Sequence, residues 1–72
     1  MPMDVHRIER ISRDVITQYG LPFELVGVHA EGSHWRVVLH DSGRRMVEID
    51  VAGDVAAGTL RALLKERMEA ES

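Results

Sequence analysis

Apolar residues recur at two different spacings along this chain of 72 residues. Near the amino end they follow the 3.6-residue period of an amphipathic helix, at Val5, Ile8, Ile11, Val15, Ile16 and Tyr19. Asp4 is placed to cap this helix at its start, and Gly20, followed by Pro22, is placed to end it. The pattern therefore predicts a first helix between Asp4 and Gly20.

The middle of the chain has the two-residue period of half-buried strands. Residues 23–30 are rich in β-branched and aromatic side chains, and residues 31–33 form a turn sequence. Two further strands follow, the second near residues 45–51. Their alternation directs one set of side chains to the core, namely Trp35, Val37, Leu39, Val47, Ile49 and Val51.

A second amphipathic helix is predicted from about Thr59 to Glu69, with Leu60, Leu63, Leu64 and Met68 on its buried side. A glycine inside a helix costs about 1 kcal/mol relative to alanine, so Gly58 or Thr59 is the expected start. The element order is α-β-β-β-α. We predict an α+β fold with a single domain over residues 1–72, a two-layer sandwich with both helices on one face of a three-stranded antiparallel sheet.

The pairing of the second and third strands is limited by the requirement that facing residues share a side of the sheet. Val37 must therefore lie opposite Val47 or Ile49. A three-residue loop over residues 41–43 would place Gly43 at the left-handed position, which favours the Val47 pairing. In that register His34 lies opposite Asp50.

Composition limits the class of partner. Nine basic and twelve acidic side chains give a net charge of −3, whereas phosphate backbones are usually bound by clustered Lys and Arg. Arg7, Arg10 and Arg13 recur every three residues, but Glu9 and Asp14 lie near them, so we interpret this side of the helix as a solvated face.

Other classes of site are not favoured by the sequence. The chain has no cysteine and no apolar run of membrane-spanning length, and charged residues occupy the amino terminus, so we expect a cytoplasmic protein without a membrane partner. His34 and His40 share a face but lie about 20 Å apart along an extended strand. We therefore predict no metal site and no other cofactor.

Two short strings suggest a family. Gly32-Ser33-His34 precedes the second strand, and Gly58-Thr59-Leu60-Arg61-Ala62-Leu63-Leu64-Lys65 lies near the end of the chain. In their order and context they resemble the HicA toxin family, across nearly the whole chain. The resemblance implies a double-stranded-RNA-binding-type fold, metal-independent cleavage of mRNA by the histidine of the first string, and neutralisation by a HicB-like antitoxin protein.

Carried onto this chain, the resemblance makes His34 the catalytic candidate. A histidine that takes the proton of a 2′-hydroxyl makes that oxygen a nucleophile, which attacks the adjacent phosphate and cleaves the RNA strand. Asp50 beside His34 would orient the imidazole ring. We assign Gly32, Ser33 and Arg36 to the RNA-binding surface. The alternatives are structural: Gly32 and Ser33 as turn residues, Arg36 as an ion-pair partner of Glu48, and His34 as a polar residue of the open sheet.

The chain departs from the family in two respects. Residues 49–54 contain neither residue of the Pro-x-His segment that many members have after the third strand, and the chain is acidic where members are basic. A second hypothesis therefore stands beside the ribonuclease, a non-catalytic relative that binds protein or RNA.

Overall fold

The computed structural model of the protein describes residues 4–71. Its elements are α1 (Val5–Tyr19), β1 (Phe23–Glu31), β2 (His34–Asp41), β3 (Met46–Ala52) and α2 (Ala57–Glu71). The strands form one antiparallel sheet in the order β1-β2-β3. The predicted α-β-β-β-α order and the α+β fold class are confirmed.

Both ends of α1 have the expected caps. The Asp4 carboxylate accepts a hydrogen bond from the backbone N–H of Arg7 at 2.8 Å, and Gly20 adopts the left-handed conformation with φ 57°. Gly20 also donates its N–H to carbonyl oxygens of the last turn of the helix. The predicted start and end of α1 are therefore confirmed, because both depend on hydrogen bonds between residues close in sequence.

The second helix begins earlier than expected, because Ala57 rather than Gly58 or Thr59 is its first residue. Leu60 donates its N–H to the carbonyl oxygen of Ala56 at 2.8 Å, which places Gly58 inside the first turn. Val55 and Ala57 are partly buried against the core. Their packing overrides the weak helical preference of the glycine.

The core lies between the helices and the inward face of the sheet. It combines the buried residues of α1 and α2 with those of all three strands, namely Ile8, Ile11, Val15, Phe23, Val28, Val37, Leu39, Val47, Ile49, Val51, Leu60, Leu64 and Met68. The predicted inward set of β3 and most of the predicted helical sets are buried. Trp35 is only partly buried, at one end of the sheet, and Tyr19 is 44% exposed beside the ammonium of Lys65.

The register of β2 and β3 differs from the favoured prediction by two residues. Val37 lies opposite Ile49, the other pairing that parity allowed, and His34 lies opposite Ala52. The cause is the turn. Asp41 stays in the strand because its carboxylate accepts the N–H groups of Gly43 and Arg45, at 2.9 and 2.8 Å.

This turn shifts the left-handed position by one residue. Arg44 has φ 63° and donates its N–H to the carbonyl oxygen of Asp41 at 3.0 Å, so the three-residue loop spans 42–44 and not 41–43. The expectation that Gly43 would be left-handed was wrong. An aspartate at the first turn position, which binds the turn amides, outweighs the steric preference of the glycine.

Candidate functional site

The Gly32-Ser33-His34 string forms the turn between β1 and β2. Glu31 ends β1 and lies opposite His34, the first residue of β2, so the turn has two central residues. Gly32 has φ 60°, while Ser33 has no positive φ, the combination of a type II′ hairpin turn. The structural role expected for Gly32 and Ser33 as turn residues is confirmed, and the turn leaves His34 exposed at the start of the strand.

A close backbone contact fixes this turn against the segment that follows β3. Gly53 donates its N–H to the carbonyl oxygen of Ser33 at 2.8 Å. A Cβ on Gly53 would lie 2.4 Å from that oxygen, so the approach requires glycine. The two segments enclose a shallow depression of about 490 Å³, lined by Ser33, His34, Ala52, Gly53 and Asp54.

The expected pairing of His34 with Asp50 is not formed. Because the register places Ala52 opposite His34, Asp50 lies opposite Arg36 instead, and its carboxylate accepts a hydrogen bond from the Nε of Arg36 at 3.3 Å. Within residues 4–71, the side chain of His34 makes no hydrogen bond or ion pair. The structure therefore leaves the imidazole of His34 without an orienting carboxylate.

Arg36 is held by three carboxylates. Its guanidinium lies 2.6 Å from Glu31, 3.3 Å from Asp50 and 3.6 Å from Glu48, and its side chain is 35% exposed. The hydrogen bond to Asp50 and the negative charges of Glu31 and Glu48 raise the pKa of Arg36. The ion pair with Glu48 that the sequence suggested is present, as one of three. A phosphate at Arg36 would have to compete with all of them.

The side of the sheet away from the helices is here named the open face. Strand alternation and register place twelve residues on it: Glu24, Gly27, His29 and Glu31 from β1, His34, Arg36, Val38 and His40 from β2, and Met46, Glu48, Asp50 and Ala52 from β3. Most are exposed, but Val38 at the centre of the sheet is only 6% exposed. No described element covers this face.

The net charge of the molecule lies on the open face. Its four carboxylates and single guanidinium sum to −3, which equals the charge of the whole chain. The remaining eight acidic and eight basic side chains balance each other. Three histidines also lie on this face, His29, His34 and His40. The candidate catalytic histidine therefore shares its face with four carboxylates and with one arginine whose positive charge they outweigh.

Sequence reasoning missed Glu31 as a site residue. It is the shortest-range partner of Arg36 and lies directly opposite His34. A signal existed: a two-residue turn at Gly32 and Ser33 places Glu31 on the same face as His34 and Arg36. The expectation of a longer turn, over residues 31–33, concealed this relationship.

The basic side chains of α1 belong to the helical layer. Arg7 and Arg10 line an open cleft of about 530 Å³ between the starts of the two helices, together with Arg61, which is paired with Asp14 at 3.1 Å. Arg13 lies 3.7 Å from Glu9. The pair of Arg13 with Glu9 agrees with the interpretation of a solvated face. Asp14 instead pairs with Arg61 of α2, and within residues 4–71 the side chains of Arg7 and Arg10 form no ion pair.

In the described range 4–71, no group of three or more His, Asp and Glu side chains is arranged to hold a metal ion. No helix in that range is long and apolar enough to cross a membrane. Comparison of the chain with protein-family models, with curated proteins and with solved structures finds no match in any of the three.

Proposed function

We propose that this domain is a protein-binding module on a HicA-like scaffold, which binds a basic segment of a partner protein through the open face. The observation that carries the proposal is the concentration of the entire net charge, −3, on that face. Complementary charge steers encounter and selects partners. A basic protein segment is the partner that such a face attracts.

The same charges weigh against a phosphate backbone at this face. RNA is a polyanion, and the one cationic side chain on the open face, Arg36, lies within 4 Å of three carboxylates. Binding RNA there would bring phosphates against Glu31, Glu48 and Asp50. A Lys- or Arg-rich protein segment would find these carboxylates favourable.

The resemblance suggests where the partner is encoded. A HicB-like antitoxin would be the product of a small reading frame beside this one, and we expect it to present a basic segment. Co-expression of the two chains, followed by purification on a tag of either one, tests for a stable complex. Failure of the adjacent product to co-purify would contradict a toxin–antitoxin pairing.

A matched pair of variants tests the surface. Glu48→Lys reverses one charge on the open face, and Glu66→Lys makes the same change at an exposed position of α2. We expect Glu48→Lys to weaken the complex on the order of tenfold and Glu66→Lys to leave it within about twofold. Equal effects of the two variants, measured by calorimetric titration, would mean that the open face does not bind the partner.

The second candidate is a metal-independent endoribonuclease acting on mRNA, with His34 as general base. The observation that favours it is the exposed imidazole at the rim of the depression formed by Ser33, Gly53 and Asp54. In this reaction His34 would take the proton of a 2′-hydroxyl, and the 2′-oxygen would attack the adjacent phosphate to form a 2′,3′-cyclic phosphate. The bond from phosphorus to the 5′-oxygen breaks, and that oxygen leaves as a hydroxyl after taking a proton from water. Two carboxylates other than Asp50 belong to this candidate site: Asp54 lines the same depression, and Glu31 lies opposite His34 on the neighbouring strand.

One experiment separates the two candidates. The wild type, His34→Ala and His40→Ala are expressed in cells, and growth and mRNA integrity are followed; His40 is a matched control because it is also a histidine of β2 on the open face. Growth arrest with fragmented mRNA that only His34→Ala abolishes supports the ribonuclease. Intact mRNA and normal growth with all three chains support the binding module.

A further inference from the structure

The outer edge of β3 is free to pair with another strand. β3 is the last strand of the sheet, and in residues 4–71 no strand pairs with its outer side. Asp41 donates to Arg45 and Gly53 donates to Ser33, so these two cross-strand positions are hydrogen-bonded pairs. Because such pairs alternate, Met46, Glu48 and Asp50 direct their N–H and C=O groups away from β2.

The two edges of the sheet differ in regularity. β1 carries a bulge at Val26, where the register shifts between Leu25 and Gly27. Bulges twist a strand and hinder edge-to-edge pairing. β3 has an unbroken register with β2 from Met46 to Ala52 and contains no proline. The regular edge is therefore that of β3.

The residues whose backbone N–H and C=O groups are free at this edge include two that carry negative side chains. Glu48 and Asp50 are exposed on the open face, and Met46 is a 51% exposed apolar side chain beside them. A strand added here would place every second side chain directly opposite one of these three residues. Backbone pairing and charge recognition therefore coincide at the same positions.

We infer that β3 binds an extended basic segment of a partner protein by antiparallel strand addition. The segment has the pattern basic-x-basic-x-apolar, its residues lying in turn opposite Asp50, Glu48 and Met46. The inference rests on the proposed protein-binding function and specifies its geometry. Main-chain hydrogen bonds supply affinity in this mode of recognition, and alternate side chains supply specificity.

A second copy of this chain fits the same edge poorly. Antiparallel pairing of two β3 strands with Glu48 at the centre places Glu48 opposite its own copy. A shift by one pair in one direction places Glu48 opposite Asp50, and in the other direction opposite Met46, which offers no positive charge. Like charges directly opposite each other destabilise a strand pair. The edge therefore favours a basic partner over self-association.

The test uses two peptides of identical composition. Thr-Arg-Thr-Arg-Thr-Ile-Thr presents both arginines on one face of an extended strand, and Thr-Arg-Arg-Thr-Thr-Ile-Thr presents them on opposite faces. Each is titrated into the isotope-labelled protein, and amide shifts and hydrogen exchange are followed by NMR. We expect the first peptide to bind at least tenfold more tightly and to protect the amides of Met46, Glu48 and Asp50.

Equal affinity for the two peptides, absence of binding, or binding without protection of these three amides overturns the inference. These outcomes are distinct from failure of the proposed function. If Glu48→Lys weakens binding of the adjacent gene product but that product leaves the three amides exchanging freely, the protein-binding function is supported and strand addition is contradicted. If that product does not bind at all, both proposals are contradicted.

Two variants separate backbone pairing from charge. Glu48→Pro removes an outward N–H while leaving the hydrogen bonds between β3 and β2 in place, and Glu48→Gln removes only the charge. Strand addition predicts that each weakens the first peptide at least fivefold, with Glu66→Gln as the unaffected control. An affinity unchanged by Glu48→Gln overturns the inference even if Glu48→Pro proves unfolded by circular dichroism.

Discussion

The backbone N–H of Gly53 donates to the carbonyl oxygen of Ser33 at 2.8 Å, and this bond joins the turn before His34 to the segment after β3. The two residues lie twenty positions apart in the chain. Their contact extends the pairing of β2 with β3 by one further position, and it joins the two segments that line the depression containing His34 and Asp54.

We expect Gly53→Ala to destabilise the domain and displace the turn that carries His34. The added Cβ would lie 2.4 Å from a backbone oxygen, so the chain must shift, at a cost of about 1–3 kcal/mol. Urea unfolding measures the change. Gly58→Ala is the matched control, since nothing lies within 4 Å of its added Cβ and the helix gains about 0.5–1 kcal/mol. Equal effects of the two substitutions would contradict the close approach.

Arg44→Gly is expected to stabilise the protein. Arg44 adopts φ 63°, a left-handed conformation that costs a residue with a Cβ about 1 kcal/mol relative to glycine. Arg44→Ala keeps the Cβ and loses the same charge, so it should bring no such gain. The free energy of unfolding of the two variants, compared with wild type, isolates the backbone effect. If Arg44→Ala raised the free energy of unfolding as much as Arg44→Gly, the stabilisation would come from loss of the charge and not from the backbone conformation.

Arg36→Gln is expected to lower the melting temperature and to make it salt-dependent. The substitution leaves Glu31, Glu48 and Asp50 without the guanidinium that lies within 4 Å of each. Their mutual repulsion is screened by salt, so the difference from wild type should shrink between low and high ionic strength. Arg13→Gln, which removes a single exposed pair with Glu9, should change the melting temperature less.

Ser12 is a buried hydroxyl whose loss should be nearly neutral. It is fully buried in α1, and it donates to the carbonyl oxygen of Ile8 at 2.7 Å, within the same helix. Because that oxygen also accepts the helical bond, Ser12→Ala should change the free energy of unfolding by less than about 1 kcal/mol. Ser12→Leu should cost about 1–3 kcal/mol or more by overpacking. Comparable stability of the two variants would mean that the site has free space.

Local chemistry was enough to predict the elements and their faces. α1 starts after Asp4 and ends before Gly20, because the Asp4 side-chain oxygen and the left-handed Gly20 provide hydrogen bonds to backbone groups that lack partners at the helix ends. The alternation of Val47, Ile49 and Val51 fixed which side of β3 is buried, since a strand has a period of two. These features depend on neighbours in the sequence, so the sequence reveals them.

The candidate site was predictable in part. His34 was correctly placed on the exposed sheet face at the start of β2, and Arg36 was correctly given Glu48 as an ion-pair partner. The pairing of His34 with Asp50 was wrong because it depended on the register. Assignments of catalysis to His34 and Asp50, and of RNA contact to Gly32, Ser33 and Arg36, stay predictions.

The sequence by itself determined the order of elements, most of the core residues and the two registers that parity permits. Only the tertiary structure decided between those registers. The choice was made by the Asp41 carboxylate, which binds two turn amides and moves the left-handed position from Gly43 to Arg44. A shift of two residues keeps every buried side chain on the buried face, so the hydrophobic pattern cannot distinguish the two registers. The shift nevertheless decides that Asp50 lies opposite Arg36 and leaves His34 without a carboxylate partner on β3.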